Sequence, residues 1–438
     1  MARMKIAFVV PPFPGRDMPD SSGIPLGPLY LAGALPEGWH ATLIDAYSAP
    51  LPIEDTIMEI TGANPDVVAF SMPFSPQMVS FGALSEGVKR QLKGCITIAG
   101  GEHVSFMPER TLKEFPELDC IVLGEGERVM NRLLNGISST GQWATDTIAG
   151  IDEGIAYIDN GKFVSKGFGR QEANLDNLPL PDYSLIRNPG FYSPRIMSSR
   201  GCPRGCEFCA STKFWGGVWR AHSPERVLDE IQRALLLFGD RPISFGDDNF
   251  AVDRGRVTSI CECMQSRGIK PRFGISAHPD DLDAGLIDMM AKAGLDRIFL
   301  GLESGRKKIR HAIGKDFNEG NLDSALEECR KIGVSVHASF MLGIPGETEE
   351  DLKATLEFAG RLPIASLGFH IFNPLPGSGF SQDPAKYGFE TTSEDYADMG
   401  IEGRCRVRSS SLHPLVVLDY YYRSRAIAAQ RALGGASI

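Results

Sequence analysis

The stretch RGCPRGCEFCAS, Arg200–Ser211, carries three cysteines, Cys202, Cys206 and Cys209, at spacing C-x3-C-x2-C. Random placement of the chain's cysteines would give about 0.004 such triplets, so the cluster calls for a chemical reason. Thiols gathered in a chain with an odd, irregular set of cysteines favour metal binding over disulfides. A structural zinc site wants four ligands; His222 is available as a fourth, but the paired C-x2-C knuckle is missing. A set of inert buried thiols is the other plain reading. A four-iron, four-sulfur cluster fits better, because three cysteines leave one iron open to bind a substrate or cofactor.

Outward from this loop, residues from about 193 to 376 alternate strand-like and helix-like runs. The strand candidates are SPRIMSSRG, PISFGDD, PRFGISA, RIFLGLES, VSVHASFMLG and SLGFHIFNPLP. Between them lie helices such as 223–239, with Ser223 as N-cap, Pro224 at the first turn and Gly239 as stop. Six strand–helix units predict a partial (β/α)6 barrel with reactive groups at the strand C-termini, where the cysteine loop follows the first strand. Residues up to about 130 alternate in the same way, with strands at 5–12, 41–48, 66–73, 95–101 and 119–127. That half reads as an α/β doubly wound parallel sheet, whose ligand loops would be 71–77, 100–106 and 124–127. A hairpin at 154–167, turning at Asp-Asn-Gly, and the Pro-punctuated stretch 175–185 read as a connector. The expected organisation is a doubly wound domain (1–140), hairpin and linker (141–190), barrel (191–376) and a partly helical C-terminal segment (377–438).

Composition narrows the class. The net charge is -10, with no basic stripe, which argues against nucleic acid as a partner. No apolar run approaches the ~20 residues of a membrane span. KIAFVV near the N-terminus runs into PPFPG without a cleavage site, so it reads as a buried strand of a cytoplasmic protein. The acidic balance favours a neutral or cationic small-molecule substrate, such as a sugar or a natural-product intermediate.

With Phe208 before its last cysteine, the loop resembles the signature of the radical S-adenosylmethionine (SAM) superfamily. The resemblance implies a [4Fe-4S] cluster on Cys202, Cys206 and Cys209 whose open iron chelates the amino and carboxylate groups of SAM. One electron cleaves the sulfonium to methionine and a 5′-deoxyadenosyl radical, which abstracts hydrogen from the substrate. By position it assigns Gly246, Asp247 and Asp248 to the methionine amino group, although relatives carry Gly-Gly-Glu there. It assigns Ser276 to the carboxylate, with His278 near where many relatives carry Arg. Glu303, in FLGLESG, would meet ribose hydroxyls or the ammonium, and Gly343 and Ile344, in FMLGIPGET, the adenine.

NPLPGSGF (373–380) and the linker LPLPDYSLI are typical of a branch with an N-terminal cobalamin-binding domain of the doubly wound type. Candidate cobalamin contacts are Ser71, Gly100, Gly101, Glu102, His103, Gly124 and Gly126. The D-x-H-x-x-G motif is absent, so cobalt would not be ligated through it. The branch implies cobalamin-dependent methyl transfer to a substrate carbon in secondary metabolism. If cobalamin is absent, the implied chemistry is dehydration, epimerisation or oxidation, with Gln77 and Glu102 walling the cavity. Cys405, Tyr420, Tyr421 and Tyr422 are hydrogen-donor candidates by chemistry. An external electron donor such as flavodoxin or ferredoxin is expected. A cobalamin sensor would not need the SAM motifs, and an iron–sulfur carrier would close its cluster with a fourth cysteine.

Overall fold

The computed structural model describes residues 4–13, 22–140, 148, 150–364, 366–400 and 404–434. They form two compact units, one ending at Ser193 and the other starting at Pro194. In the first, apolar runs become β1 (Met4–Val10), β2 (Trp39–Asp45), β3 (Val67–Ser71), β4 (Ile96–Gly100) and β5 (Cys120–Val122). Helices α1 (Leu26–Gly33), α2 (Ile53–Ala63) and α3 (Met78–Gln91) separate the first four, two short helices (Glu102–Phe106 and Pro108–Glu114) precede β5, and α4 (Glu127–Thr140) follows it. The strands pair in parallel in the order β2-β1-β3-β4-β5. The order reverses between β1 and β3, and ligands of such sheets bind in the crevice at the strand C-termini there.

The 154–167 hairpin is more than a connector. Its strands β6 (Ile155–Asp159) and β7 (Lys162–Ser165) extend the same sheet antiparallel to β5, giving seven strands. Asn160 and Gly161 both take positive φ (47° and 77°), the conformation a two-residue hairpin turn demands. Both faces are covered where β6 begins, since Ile155 and Ala156, on opposite sides of the strand, are fully buried.

In the second unit, β8 (Arg195–Ile196), β9 (Ile243–Phe245), β10 (Phe273–Ala277), β11 (Leu295–Glu303), β12 (Ser335–Leu342) and β13 (Ser366–Ile371) lie in chain order. All neighbours are parallel, and helices α5 (Pro224–Phe238), α6 (Arg254–Ser266), α7 (Ala284–Ala293), α8 (Glu319–Ile332) and α9 (Glu349–Arg361) cross between them. This is the open six-stranded partial barrel. Each helix starts on a side-chain cap, Ser223, Asp253, Asp283, Asn318 and Thr348 in turn. A last helix, α10 (Pro414–Gly434), packs along β13 and α9. Among the described residues no helix is long and apolar enough to cross a membrane. All nine cysteines are free thiols.

Candidate active site

The cysteine loop is fastened from several sides. Gly201 holds φ +89°, and a Cβ there would lie 2.1 Å from the Val218 carbonyl oxygen, so glycine is obligatory. The Glu207 amide donates to the Ile313 carbonyl (3.0 Å), the Cys209 amide to Cys206 O (3.1 Å) and the Cys206 thiol to Gly314 O (3.4 Å). Arg204 pairs with Asp281 (2.5 Å), and Tyr387 donates to the Glu207 carboxylate (3.1 Å). Cys206 is buried, while Cys202 and Cys209 are half-buried.

Cys209 lies near enough to raise both Cys202 and Cys206, and Cys202 near enough to raise Cys206. Burial pushes Cys206 up to about 11, with Lys315 opposing and Cys209, Cys202 and Glu303 adding to it. Burial likewise raises Cys202, with Asp248 and Cys209 adding and Lys315 opposing. Cys202 and Cys206, partly desolvated beside a single ammonium, are poor thiolates on their own. A metal centre supplies the positive charge that makes them ligands. Among the described residues no three His, Cys, Asp or Glu converge on a single-ion position, so His222 does not complete a zinc site. A cuboidal cluster offers each cysteine a different iron and needs no such convergence. The donor set therefore fits the cluster.

Glu303 closes the end of β11 in a conformation unusual for its type, φ +62°. Its carboxylate is buried and accepts no hydrogen bond from the described residues. Burial raises its proton affinity, and Lys315 opposes the rise. A carboxylate so placed, facing Cys206, fits a hydroxyl- or ammonium-bearing ligand such as SAM. Lys315 carried no motif in the sequence. The turn at Gly314, whose carbonyl meets Cys206, brings it in.

Asp247 and Asp248 separate. Asp247 is buried and accepts from the Ser198 amide (3.0 Å), the Ser198 hydroxyl (2.7 Å) and the Ser199 hydroxyl, with its proton affinity raised by burial. These bonds brace the strand before the cysteine loop. Asp248 is exposed and lies near Cys202, Ser211 and the Gly201 amide; partial desolvation raises it. Gly246 is half-buried beneath the Arg195 side chain. Ser276 is half-buried on β10. His278 is buried and caps the next turn through Nδ1, which accepts from the Asp280 amide (3.2 Å), and burial pushes it down to about 4.

Gly343 (φ +86°) and buried Ile344 turn out of β12. Oε2 of fully buried Glu347 accepts both their amides, at 2.9 Å each, and its Oε1 receives the Ser304 hydroxyl at 3.4 Å. One carboxylate thus ties the end of β11 to the end of β12. The sequence reading missed it; its signal is an acid four residues beyond Gly343 in a turn with two glycines. Ile344 packs in a cluster with Ile309, Ile313 and Phe372, against which Phe208 and Cys405 rest. Cys405 therefore lies beside two of the sequence candidates, its thiol donating to Val407 O. The tyrosines do not converge there: Tyr420 donates to Glu349 (3.3 Å), Tyr421 is buried and Tyr422 is 64% exposed.

In the first unit the candidate loops gather at the C-termini of β3, β4 and β5. Ser71 ends β3, and Gly100 ends β4. Gly101 holds φ +114°, and a Cβ would lie 2.8 Å from the Met72 backbone; Gly124 holds φ +79°. Gly126 abuts Leu31, and Glu102 is half-buried. His103 is buried against the Ser75 hydroxyl (2.8 Å) and pushed down to about 4 by burial. Gln77 is fully buried, donating to Pro11 O and accepting from the Phe74 amide, so it locks the loops after β1 and β3. Those loops present a rim that the sequence did not reveal. The Phe13, Tyr47 and Phe74 rings stand 6.2 Å apart in succession, with Phe74 and Val79 49% and 48% exposed. Open apolar surface at the crevice of a doubly wound sheet fits the broad faces of a corrin.

The Radical SAM superfamily model matches residues 196–359, and the B12 binding domain model matches residues 19–134. An uncharacterized methyltransferase of Pyrococcus horikoshii is 30% identical over 385 residues, 86% of this chain and 82% of that protein. An anaerobic magnesium-protoporphyrin IX monomethyl ester cyclase of Cereibacter sphaeroides is 27% identical over 411 residues, 89% of this chain and 66% of the cyclase. The cobalamin-dependent S-adenosylmethionine radical enzyme OxsB, solved with aqua-cobalamin and S-adenosylmethionine bound, shares the fold. Its TM-score is 0.75 at 20% identity, over 97% of this chain and 66% of OxsB.

Proposed function

This chain belongs to the radical SAM superfamily, in the branch with an N-terminal B12-binding domain, and we propose that it methylates an unactivated carbon of a small molecule. The observation that carries the reading is the meeting of Cys202 and Cys206, joined by Cys209, with Glu303 and Lys315 at the barrel's strand ends. The methyltransferase relative from Pyrococcus horikoshii supports methyl transfer as the outcome. When bound, the cluster and SAM supply a radical, and cobalamin supplies a methyl carrier.

This chain's residues do the rest. Cys202, Cys206 and Cys209 hold the cluster, and the tethers at Ile313, Gly314 and Asp281 fix their spacing. Glu303 receives hydroxyl or ammonium hydrogens of SAM. Asp248, Gly246 and Ser276 stand toward the methionine end, while Asp247 braces the loop. Glu347 sets the Gly343–Ile344 turn against adenine, with Phe208 packed on the same cluster. Ser71, Gly100–His103, Gly124 and Gly126 border the cobalamin crevice, and Phe74 and Val79 offer it an apolar seat. Electrons come from an external donor such as flavodoxin or ferredoxin, in the cytoplasm, where free thiols and a low-potential cluster persist. The relative named as a cyclase favours one second reading, radical dehydration, epimerisation or oxidation without methyl transfer.

The test is anaerobic purification from cobalamin-fed cells, followed by turnover with methyl-deuterated SAM. About one cobalamin per chain, with label in product, supports methylation. An intact iron–sulfur cluster with no cobalamin, and deoxyadenosine formed without label transfer, would shift the assignment to the second reading.

A further inference from the structure

The segment after β11 ends in a turn, 313–315, that is stapled to the cysteine loop at two successive residues. The Ile313 carbonyl accepts the Glu207 amide (3.0 Å), and the Gly314 carbonyl accepts the Cys206 thiol (3.4 Å). Gly314 holds φ +69°, and a Cβ there would lie 2.9 Å from the Gly205 carbonyl oxygen, so the two backbones pack without room for a side chain. The next residue is Lys315, whose amide donates to Arg310 O at 2.9 Å. Its backbone is therefore fixed against the loop that carries the thiols.

The Lys315 side chain runs to the end of β11. Gly301 lies two residues before Glu303 on that strand, and a Cβ there would press on Glu303 Oε1 and stand 3.4 Å from Lys315 Nζ. Glycine at 301 thus lets the carboxylate and the ammonium approach the same point of the strand. Lys315 is half-buried, and among the described residues its ammonium has no ion-pair partner. The other cations nearby face acids of their own. Arg204 pairs with Asp281 (2.5 Å), Arg306 and Lys308 share Asp351 (2.9 Å each), and Arg195 lies toward Asp248. His278 is held neutral by burial. The field of Lys315 accordingly reaches Cys202, Cys206 and Glu303 alike, opposing the rise in proton affinity at each.

Three thiolates more than cancel the charge of an oxidised four-iron core, so an electron arriving there enters a site that is already negative. A fixed ammonium favours the more negative state, and more strongly in a half-buried site than in open water. We propose that Lys315 sets the potential of the cluster, its ammonium favouring the reduced state and bringing that state within reach of a flavodoxin- or ferredoxin-type donor. One electron passes from the donor to the oxidised core; no bond forms or breaks, and no proton moves. A protonated amine has no lone pair to offer iron, so Lys315 acts through space, as a positioning residue. The proposal rests on the reading of Cys202, Cys206 and Cys209 as cluster ligands and names what tunes the cluster they hold.

The test uses the full chain, purified anaerobically with its cluster and without SAM. The cluster is titrated with dithionite in the presence of redox mediators, and the reduced form is followed by electron paramagnetic resonance. Lys315→Met and Lys315→Gln remove the charge, Lys315→Arg keeps it and Lys315→Glu reverses it. Removing the charge should shift the reduction equilibrium about tenfold or more toward the oxidised state, a potential about 59 mV lower for a one-electron couple. Lys315→Arg should stay near wild type, and Lys315→Glu should fall below the neutral variants. A role in folding alone would move iron content and melting without ordering the potentials by charge. Potentials that do not follow the charge, at wild-type iron content, would overturn the proposal and leave the cluster reading intact. Wild-type protein with no reducible cluster would overturn the reading of the cysteines, and the proposal with it.

Discussion

Glu347 offers a test of how the SAM-facing turns are held. Desolvation pushes its carboxyl from 4.5 up to about 8, against the amides of Ile344 and Gly343 that favour the anion. The group is therefore protonated in the folded protein at neutral pH and ionised in the unfolded chain. A folded pKa raised in this way contributes stability below about pH 4.5 that is lost as pH climbs through about 8. Within that window each pH unit removes about 1.4 kcal/mol. Between pH 6.0 and 7.5 the loss is about 2 kcal/mol, or about 4–8 °C in the melting midpoint of a unit this size. Glu347→Gln keeps the geometry: its oxygen still accepts both amides, and its nitrogen donates to the Ser304 hydroxyl. Melting of anaerobic wild-type and Glu347→Gln protein at both pH values isolates the group, because every other titration is common to the two. The wild type should lose 4–8 °C more than the variant between the two pH values, by the same reasoning. Parallel pH dependence would refute the claim that Glu347 is buried as the neutral acid. Glu347→Ala should fail differently, leaving two buried amides without an acceptor at about 1–3 kcal/mol each, and SAM retention should fall with it.

Further outcomes follow from the same geometry. Alanine at Cys202, Cys206 or Cys209 should abolish both the iron–sulfur absorption and deoxyadenosine formation; turnover surviving in all three would remove the cluster assignment. Glu303→Gln should weaken SAM binding about tenfold or more, from loss of a charge-assisted hydrogen bond, while leaving iron content unchanged. Gly101→Ala forces a side chain into φ +114° and against the Met72 backbone, so cobalamin content should drop and melting should show a loss of about 1–3 kcal/mol. Tyr422→Phe, at a residue 64% exposed on α10, should leave turnover untouched, and a lost rate would revive the tyrosine as hydrogen donor.

The alternation of apolar runs was enough to read both sheets, because a parallel strand buried on its helix side leaves a short apolar signature between polar turns. The cysteine spacing was legible for a similar reason, since its ligands are local in sequence. What escaped was non-local. Asp247 read as a SAM contact because it follows a strand end, yet Ser198 and Ser199, some fifty residues earlier, hydrogen-bond to its carboxylate. Lys315 has no motif and matters only because its loop folds back onto Cys206. Glu303 was singled out by its motif, but its left-handed backbone was not, since nothing local in LESG announces φ +62°. The hairpin at 154–167 was recognised by its turn, and its attachment to the first sheet rests on pairing with β5, which periodicity does not encode.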